Sequence, residues 1–182
     1  MKKLNGWRLT AVRIAVLLVV IVLTVFLVLN RERVKELEAL GYPGIFLVSL
    51  LANATLILPV PGVLFTSAMG AVFNPFLVAL AAGTGATLGE LTGYAAGFSG
   101  QAVIENRHWY DKVTKWMTKY GGVTILVLAF IPNPVFDIAG MVAGSLRMPL
   151  WKYLTFSWIG KTAKMLLFAL GGAEILGLLD TP

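Results

Sequence analysis

Apolar stretches that end in proline pairs before they are long enough to cross a bilayer constrain this chain more than any other feature. Residues 45–58 form the first of them. As a helix they would span roughly 21 Å, against a hydrocarbon core of about 30 Å. The stretch stops at Pro59-Val60-Pro61-Gly62, where fixed φ angles and missing N–H donors interrupt a helix, and a second short piece covers residues 63–73. Two short helices joined by such a break suit a re-entrant hairpin, which dips to mid-membrane and returns to the side it left. One long kinked helix is the competing reading. Irregular backbone at that depth needs protein packing or a polar cavity around it.

The second half repeats the pattern. Residues 121–131 are short and apolar, Pro132-Asn133-Pro134 interrupts them, and residues 135–146 return. With a one-residue gap, Pro59 falls on Pro132, Pro61 on Pro134, Gly70 on Gly144, Pro75 on Pro149, Leu80 on Leu154 and Gly97 on Gly171. These landmarks read as an internal duplication. Each copy is a hairpin followed by one full span, residues 76–98 in the first and 150–172 in the second. A hairpin returns the chain to its starting face and a span moves it across, so the second copy begins on the opposite face. Inverted repeats of this kind place a site at mid-membrane between the copies. The expected fold class is therefore an all-α integral membrane protein: an inverted repeat of re-entrant hairpin plus transmembrane helix, with an N-terminal anchor helix and an interfacial amphipathic helix.

Composition agrees with a bilayer as solvent. The 182 residues are 58% hydrophobic and 13% charged, where soluble domains carry roughly 45–50% apolar and about 25% charged residues. Lys2, Lys3, Arg8 and Arg13 precede an apolar run, residues 14–29, that meets Asn30-Arg31-Glu32-Arg33 with no small-residue cleavage site, so it reads as a retained anchor. The expected division is 1–43 for the anchor and charged connector and 44–182 for the membrane domain. Within the latter, 44–100 is the first repeat, 101–120 the linker, 121–172 the second repeat and 173–182 the tail. With the N-terminus cytoplasmic, the inner segments hold ten basic residues and the outer connector three, Arg31, Arg33 and Lys35. That bias follows the positive-inside rule.

In the linker, Trp109, Tyr110, Val113, Trp116, Met117 and Tyr120 recur at helical spacing, with Lys112, Lys115 and Lys119 on the other face. This predicts an interfacial amphipathic helix, aromatic side in the head groups, with His108 an exposed polar residue of it. The net charge of +6 lacks the soluble basic patch of a nucleic-acid binder. Membrane lipids with anionic phosphate head groups are the expected partners; homo-oligomer formation stays open. With no Cys and a single His, disulfides, thiolate chemistry and a zinc centre are not expected. No cofactor is expected either.

Gly85, Gly89, Gly93 and Gly97 recur every fourth residue on one face of the first span, a spacing for close helix packing. Beside them lies Glu90. Asp137 follows the second proline break, and Lys161 and Lys164 share a face of the last span, with Lys164 aligned opposite Glu90 by the repeat. Ionisable residues at such depth are paired, protonated or lining water. For these four, a buried ion-pair network and a polar pocket handling a head group or proton are both open readings, and Lys161 is near enough to the inner end to snorkel. Returning half-helices start at mid-depth with unsatisfied amides at the positive end of a dipole. Pro61 and Pro134 sit where proline costs little, Asn133 and Asp137 can cap those amides, and facing N-termini suit phosphate.

"LPVPG", "GELTGYAAGFSG" and "IPNPVFDIAGMVAGSLRMPLWKYLTFSWIGKTAK" closely resemble the VTT domain of the DedA (SNARE-associated Golgi protein) family, which the eukaryotic vacuole membrane proteins share. The resemblance runs from about Gly44 to Gly172. It implies two re-entrant hairpins in inverted repeats and movement of lipid between leaflets: phospholipid scrambling in the eukaryotic branch, translocation of undecaprenyl phosphate or phosphatidylethanolamine in bacteria. Many bacterial DedA proteins carry acids in the first hairpin and arginines around the second proline break. Here residues 45–73 hold no ionisable group and residues 121–146 only Asp137. Asn133, Asp137, Glu90 and Lys161 follow the vacuole type instead, which favours energy-independent scrambling over an arginine-based, proton-coupled mechanism.

The function expected is a lipid translocase or scramblase that moves phospholipid or polyprenyl-phosphate head groups along a path formed by Glu90, Asp137, Asn133, Lys161 and Lys164. The breaks at Pro59, Pro61, Gly62, Pro132 and Pro134 would open it. The alternatives are a proton-coupled secondary transporter of a small ion or solute and a membrane scaffold docked through its glycines. An enzyme is not expected, since no nucleophile with a base, metal set or phosphate loop is present. The expected location is a prokaryotic plasma (inner) membrane.

Overall fold

The computed structural model describes residues 38–54, 62–100, 107–133 and 135–179. The anchor run, most of the charged connector, Pro59, Pro61, Pro134 and the last three residues of the tail lie outside the described residues. The described chain is all-helical: α1 (Glu38–Ala54), α2 (Gly62–Val72), α3 (Pro75–Gly89), α4 (Leu91–Phe98), α5 (Arg107–Tyr120), α6 (Gly122–Phe130), α7 (Phe136–Ser145) and α8 (Leu150–Leu179).

Several boundaries differ from the sequence reading, each for a packing reason. The first apolar helix begins at Glu38 and runs through Pro43, across the expected 43/44 division. Phe73 covers Gly41, and the Tyr42 and Phe73 rings lie 5.7 Å apart, so tertiary contact carries the helix past its proline. The last helix reaches Leu179, 30 residues long, beyond the expected end at 172. The first span is α3, Glu90 and α4 together, 24 residues from Pro75 to Phe98, long and apolar enough to cross a membrane. Its start is specified locally. Asn74 Oδ1 accepts from the Phe76 and Leu77 amides at 3.0 and 3.4 Å, and Pro75 occupies the first turn, where no amide partner is lost. A turn at Glu90 divides it: the Glu90 amide still donates to Ala86 O, and Glu90 O accepts from Tyr94, both at 3.2 Å.

Two apolar cores result. The first gathers Ile45, Met69, Val72, Phe73, Val78, Ala82 and Ala86 with Met165 and Ala169 of α8. The second gathers Val113, Met117, Ile125, Ala129, Phe136, Ala139, Val142 and Ala143 with Tyr153 of α8. Helix α8 thus serves the second core with its N-terminal half and the first with its C-terminal half. Helix α1 packs on α3, α2 on α8, α4 on α7, and α6 on α8.

The glycine stripe is correspondingly split between partners. A Cβ on Gly85 or Gly89 would meet the backbone of α1 at Phe46 and Leu50, whereas one on Gly97 would meet Met141 O of α7. Gly93 is looser, 3.7 Å from Asp137 O. The expectation of one docking face gives way to two, since a four-residue spacing advances by about 40° per step on a helix of 3.6 residues per turn and carries the Gly97 end away from α1. In α8 the residue in the equivalent tight position is Gly172, against Ser67 O, and not the aligned Gly171, which has open space.

Helix α5 departs from a purely interfacial role. Val113 is fully buried and Met117 3% exposed, both inside the second core, so the helix rests on protein with its innermost apolar residues. Trp109, Tyr110 and Trp116 are half-buried, and Lys112, Lys115, Lys119 and His108 are exposed, as expected.

Candidate functional site

The polar residues collect where the two cores meet. Along the first span, Ala86 closes the first core and Leu91 opens onto the second; Thr87, Gly89 and Glu90 lie between them. On α8 the interval between Tyr153 and Met165 holds Ser157, Gly160 and Lys161. At ~1.5 Å per residue, Glu90 is ~12 Å from the Phe98 end of its span and Lys161 ~17 Å from the start of α8.

Glu90 and Lys161 are 4% and 3% exposed and form an ion pair, Nζ to Oε1 at 2.6 Å. The same ammonium donates to Asn53 Oδ1 at 2.7 Å, and the Phe136 ring lies 4.7 Å beneath it. Asn53 is oriented for this, because its Nδ2 donates to Ser49 O at 2.8 Å and leaves Oδ1 as the acceptor. Charges removed from water are tolerated only when paired and hydrogen-bonded, and here α1, α3/α4, α7 and α8 each supply part of the enclosure. Tyr153, fully buried, reaches Glu90 O with its hydroxyl at 3.4 Å and stacks within 5.0 Å of Tyr94.

The geometry bears on two readings that the sequence left open. The partner of Glu90 is Lys161, not the Lys164 that the repeat alignment sets opposite it. Lys161 does not snorkel: its ammonium is consumed inside the bundle.

Asp137 and Lys164 are near this cluster but outside it. Asp137 is exposed and Lys164 half-buried, and neither makes a hydrogen bond or ion pair among the described residues. Asn133 does cap, at both ends of the break. Its Oδ1 accepts from the Val135 amide at 2.9 Å, while Nδ2 donates to Leu128 O and Ile131 O at 2.9 and 2.7 Å. Those bonds join the C-terminus of α6 to the start of α7. Pro132 lies in the exposed link between the two, and Gly62 opens α2. Asp137, in the first turn of α7, makes no cap bond.

Sequence reasoning missed Asn53, Tyr153 and Ser157. For α8 a signal existed, since Tyr153, Ser157, Lys161 and Lys164 are spaced 4, 4 and 3 apart on one face. Asn53 had none beyond being polar in an apolar run. Beside the cluster, a groove of about 280 Å³ between α3 and α8 is lined by Thr84, Thr87, Leu88, Leu154, Thr155 and Trp158. Trp158 Nε1 donates to Thr84 Oγ1 across it at 3.0 Å. Thr87 and Trp158 each precede the ion-paired residue of their helix by three positions, so the groove is about one turn from the pair. No three His, Asp or Glu side chains converge as metal ligands among the described residues.

The VTT domain family model matches residues 60–174, a range that contains Glu90, Asn133, Asp137, Lys161 and Lys164. It is a membrane protein of the VTT domain, or DedA, family. The VTT protein described here is 30% identical over 146 residues to the inner membrane protein YqaA of Escherichia coli, which covers 78% of this chain and 96% of that one. It is 32% identical over 91 residues to the vacuole membrane protein KMS2 of Arabidopsis thaliana, 48% of this chain and 21% of that one. Human vacuole membrane protein 1 shares 43% identity over 49 residues, 27% of this chain and 12% of its own length. The matches to the Arabidopsis proteins thus span only about a fifth to a quarter of their length. No solved structure matches the VTT protein.

Proposed function

We propose that this protein moves lipid between leaflets, with the phosphate-bearing head group crossing at the boundary of its two apolar cores while the tails stay in the bilayer. The observation that carries this reading is the buried Glu90–Lys161–Asn53 cluster. A polar site so enclosed is costly in a membrane bundle, and it sits one turn from an open groove between α3 and α8 whose threonine hydroxyls bond their own helices. Asp137 and Lys164, at its edge, supply charges not already neutralised. A head group entering by the groove would exchange water for these groups.

The arrangement of paired re-entrant hairpins in inverted repeats belongs to the same proposal. Its support is that the close contacts come in corresponding pairs. Gly70 of α2 abuts Ala169 of α8, as Gly144 of α7 abuts Tyr94 of α4; Gly97 faces Met141, as Gly172 faces Ser67. Each hairpin return helix therefore packs against the span of the other repeat. A prokaryotic plasma membrane with the N-terminus on its cytoplasmic side, and a phospholipid or polyprenyl phosphate as cargo, complete the proposal.

The test is the purified protein in liposomes carrying fluorescent phospholipids, with dithionite added outside. Flipping moves the quenchable fraction from about half toward completeness; rates equal to empty liposomes across several head groups would refute the proposal. A proton-coupled solute transporter is the second reading, favoured by a buried carboxylate held on a single lysine. It requires uptake driven by a pH gradient and abolished in Glu90→Gln.

A further inference from the structure

We propose that the groove between α5 and α6 is a binding site for one anionic phospholipid, its acyl chain against α6 and its phosphate on Lys112 and Lys119. The groove, about 250 Å³, is walled by Trp116, Tyr120, Val123, Thr124, Val127 and Leu128. Helix α6 turns Ile125 and Ala129 into the second core and leaves Val123 and Val127 outward, 54% and 45% exposed. The one hydroxyl on α6, Thr124 Oγ1, already donates to Trp116 O at 3.0 Å, so the α6 side of the groove presents hydrocarbon to a guest.

The head-group end is set by charge. Lys119 Nζ lies 4.9 Å over the Tyr120 ring, and Lys112 Nζ 5.1 Å over Trp116 and 4.8 Å over Trp109. Two ammonium groups are thereby held on two of the rings that form the wall. Neither has a carboxylate partner among the described residues. An acyl chain laid along Val123 and Val127 brings its own phosphate to this rim, and a zwitterionic head group would add a third cation beside the two lysines, where an anionic one adds none. A helix merely adsorbed on a charged bilayer would use all its lysines alike. A site at the groove uses Lys112 and Lys119 and spares Lys115, which stacks on no ring among the described residues. This inference stands apart from lipid translocation, since it draws on none of the residues of the Glu90 cluster.

The experiment is native mass spectrometry of the full chain in detergent, titrated with phosphatidylglycerol or phosphatidylcholine. One phosphatidylglycerol should be retained at least tenfold more tightly than phosphatidylcholine. The double variant Lys112→Gln/Lys119→Gln should weaken it by about 30-fold, the loss of two surface lysines. Lys115→Gln/Arg107→Gln, which removes the same charge elsewhere on the helix, should change it less than threefold. Val127→Trp, which fills the groove at an exposed position, should weaken both lipids. Equal effects from the two charge pairs, phosphatidylglycerol binding unaltered by Val127→Trp, or displacement of the lipid by soluble glycerol phosphate would each overturn the site.

Discussion

Replacing Glu90 by Gln keeps the shape of the side chain and removes its charge, which isolates what the buried ion pair contributes. At 2.6 Å and an effective dielectric of 20, two unit charges attract by about 6 kcal/mol. A neutral amide returns about 1 kcal/mol as an ordinary hydrogen bond. The Lys161 ammonium, 3% exposed, would keep Asn53 Oδ1 and the Phe136 ring but no counter-charge. Stripping one partner from a buried pair typically costs about 3–5 kcal/mol. For a chain of this size that corresponds to a fall in melting temperature on the order of 10 °C. The assay is thermal unfolding in detergent followed by intrinsic tryptophan fluorescence, repeated for Lys161→Met and for Glu90→Gln/Lys161→Met. Each single variant should be strongly destabilised and the double variant should recover most of the loss, because no uncompensated charge then remains. Additive losses in the double variant, or a shift below about 1 °C in Glu90→Gln, would refute the description of this cluster as a desolvated pair.

Asn133→Ala removes the three bonds that join α6 to α7 and should lower stability by about 2 kcal/mol in the same assay. Asp137→Asn, at an exposed and unpaired carboxylate, should leave the melting temperature unchanged while slowing lipid flipping in liposomes. Gly97→Ala places a methyl group into the Met141 backbone, whereas Gly171→Ala enters open space. The first should cost about 1–3 kcal/mol by overpacking and the second less than about 0.5 kcal/mol, read as the difference in melting temperature.

The sequence alone determined the membrane class, the positions of the broken apolar runs and the residues expensive enough to matter. These depend on local chemistry: proline removes a donor wherever it stands, and a carboxylate in an apolar run is costly whatever its neighbours. Asn133 was legible as a cap for the same reason, since its partners lie within five residues of it. Which groups meet was beyond the sequence. Lys161, not Lys164, reaches Glu90, because the packing of α8 on the first span selects which of its two lysines faces the carboxylate. Asn53 joins them through Lys161, from a helix 108 residues earlier in the chain. The glycine stripe looked like one surface and divides along the span between α1 and α7. Only the tertiary structure decided these contacts, because pairing at a distance depends on how whole helices rotate and lean, which no run of neighbouring residues encodes.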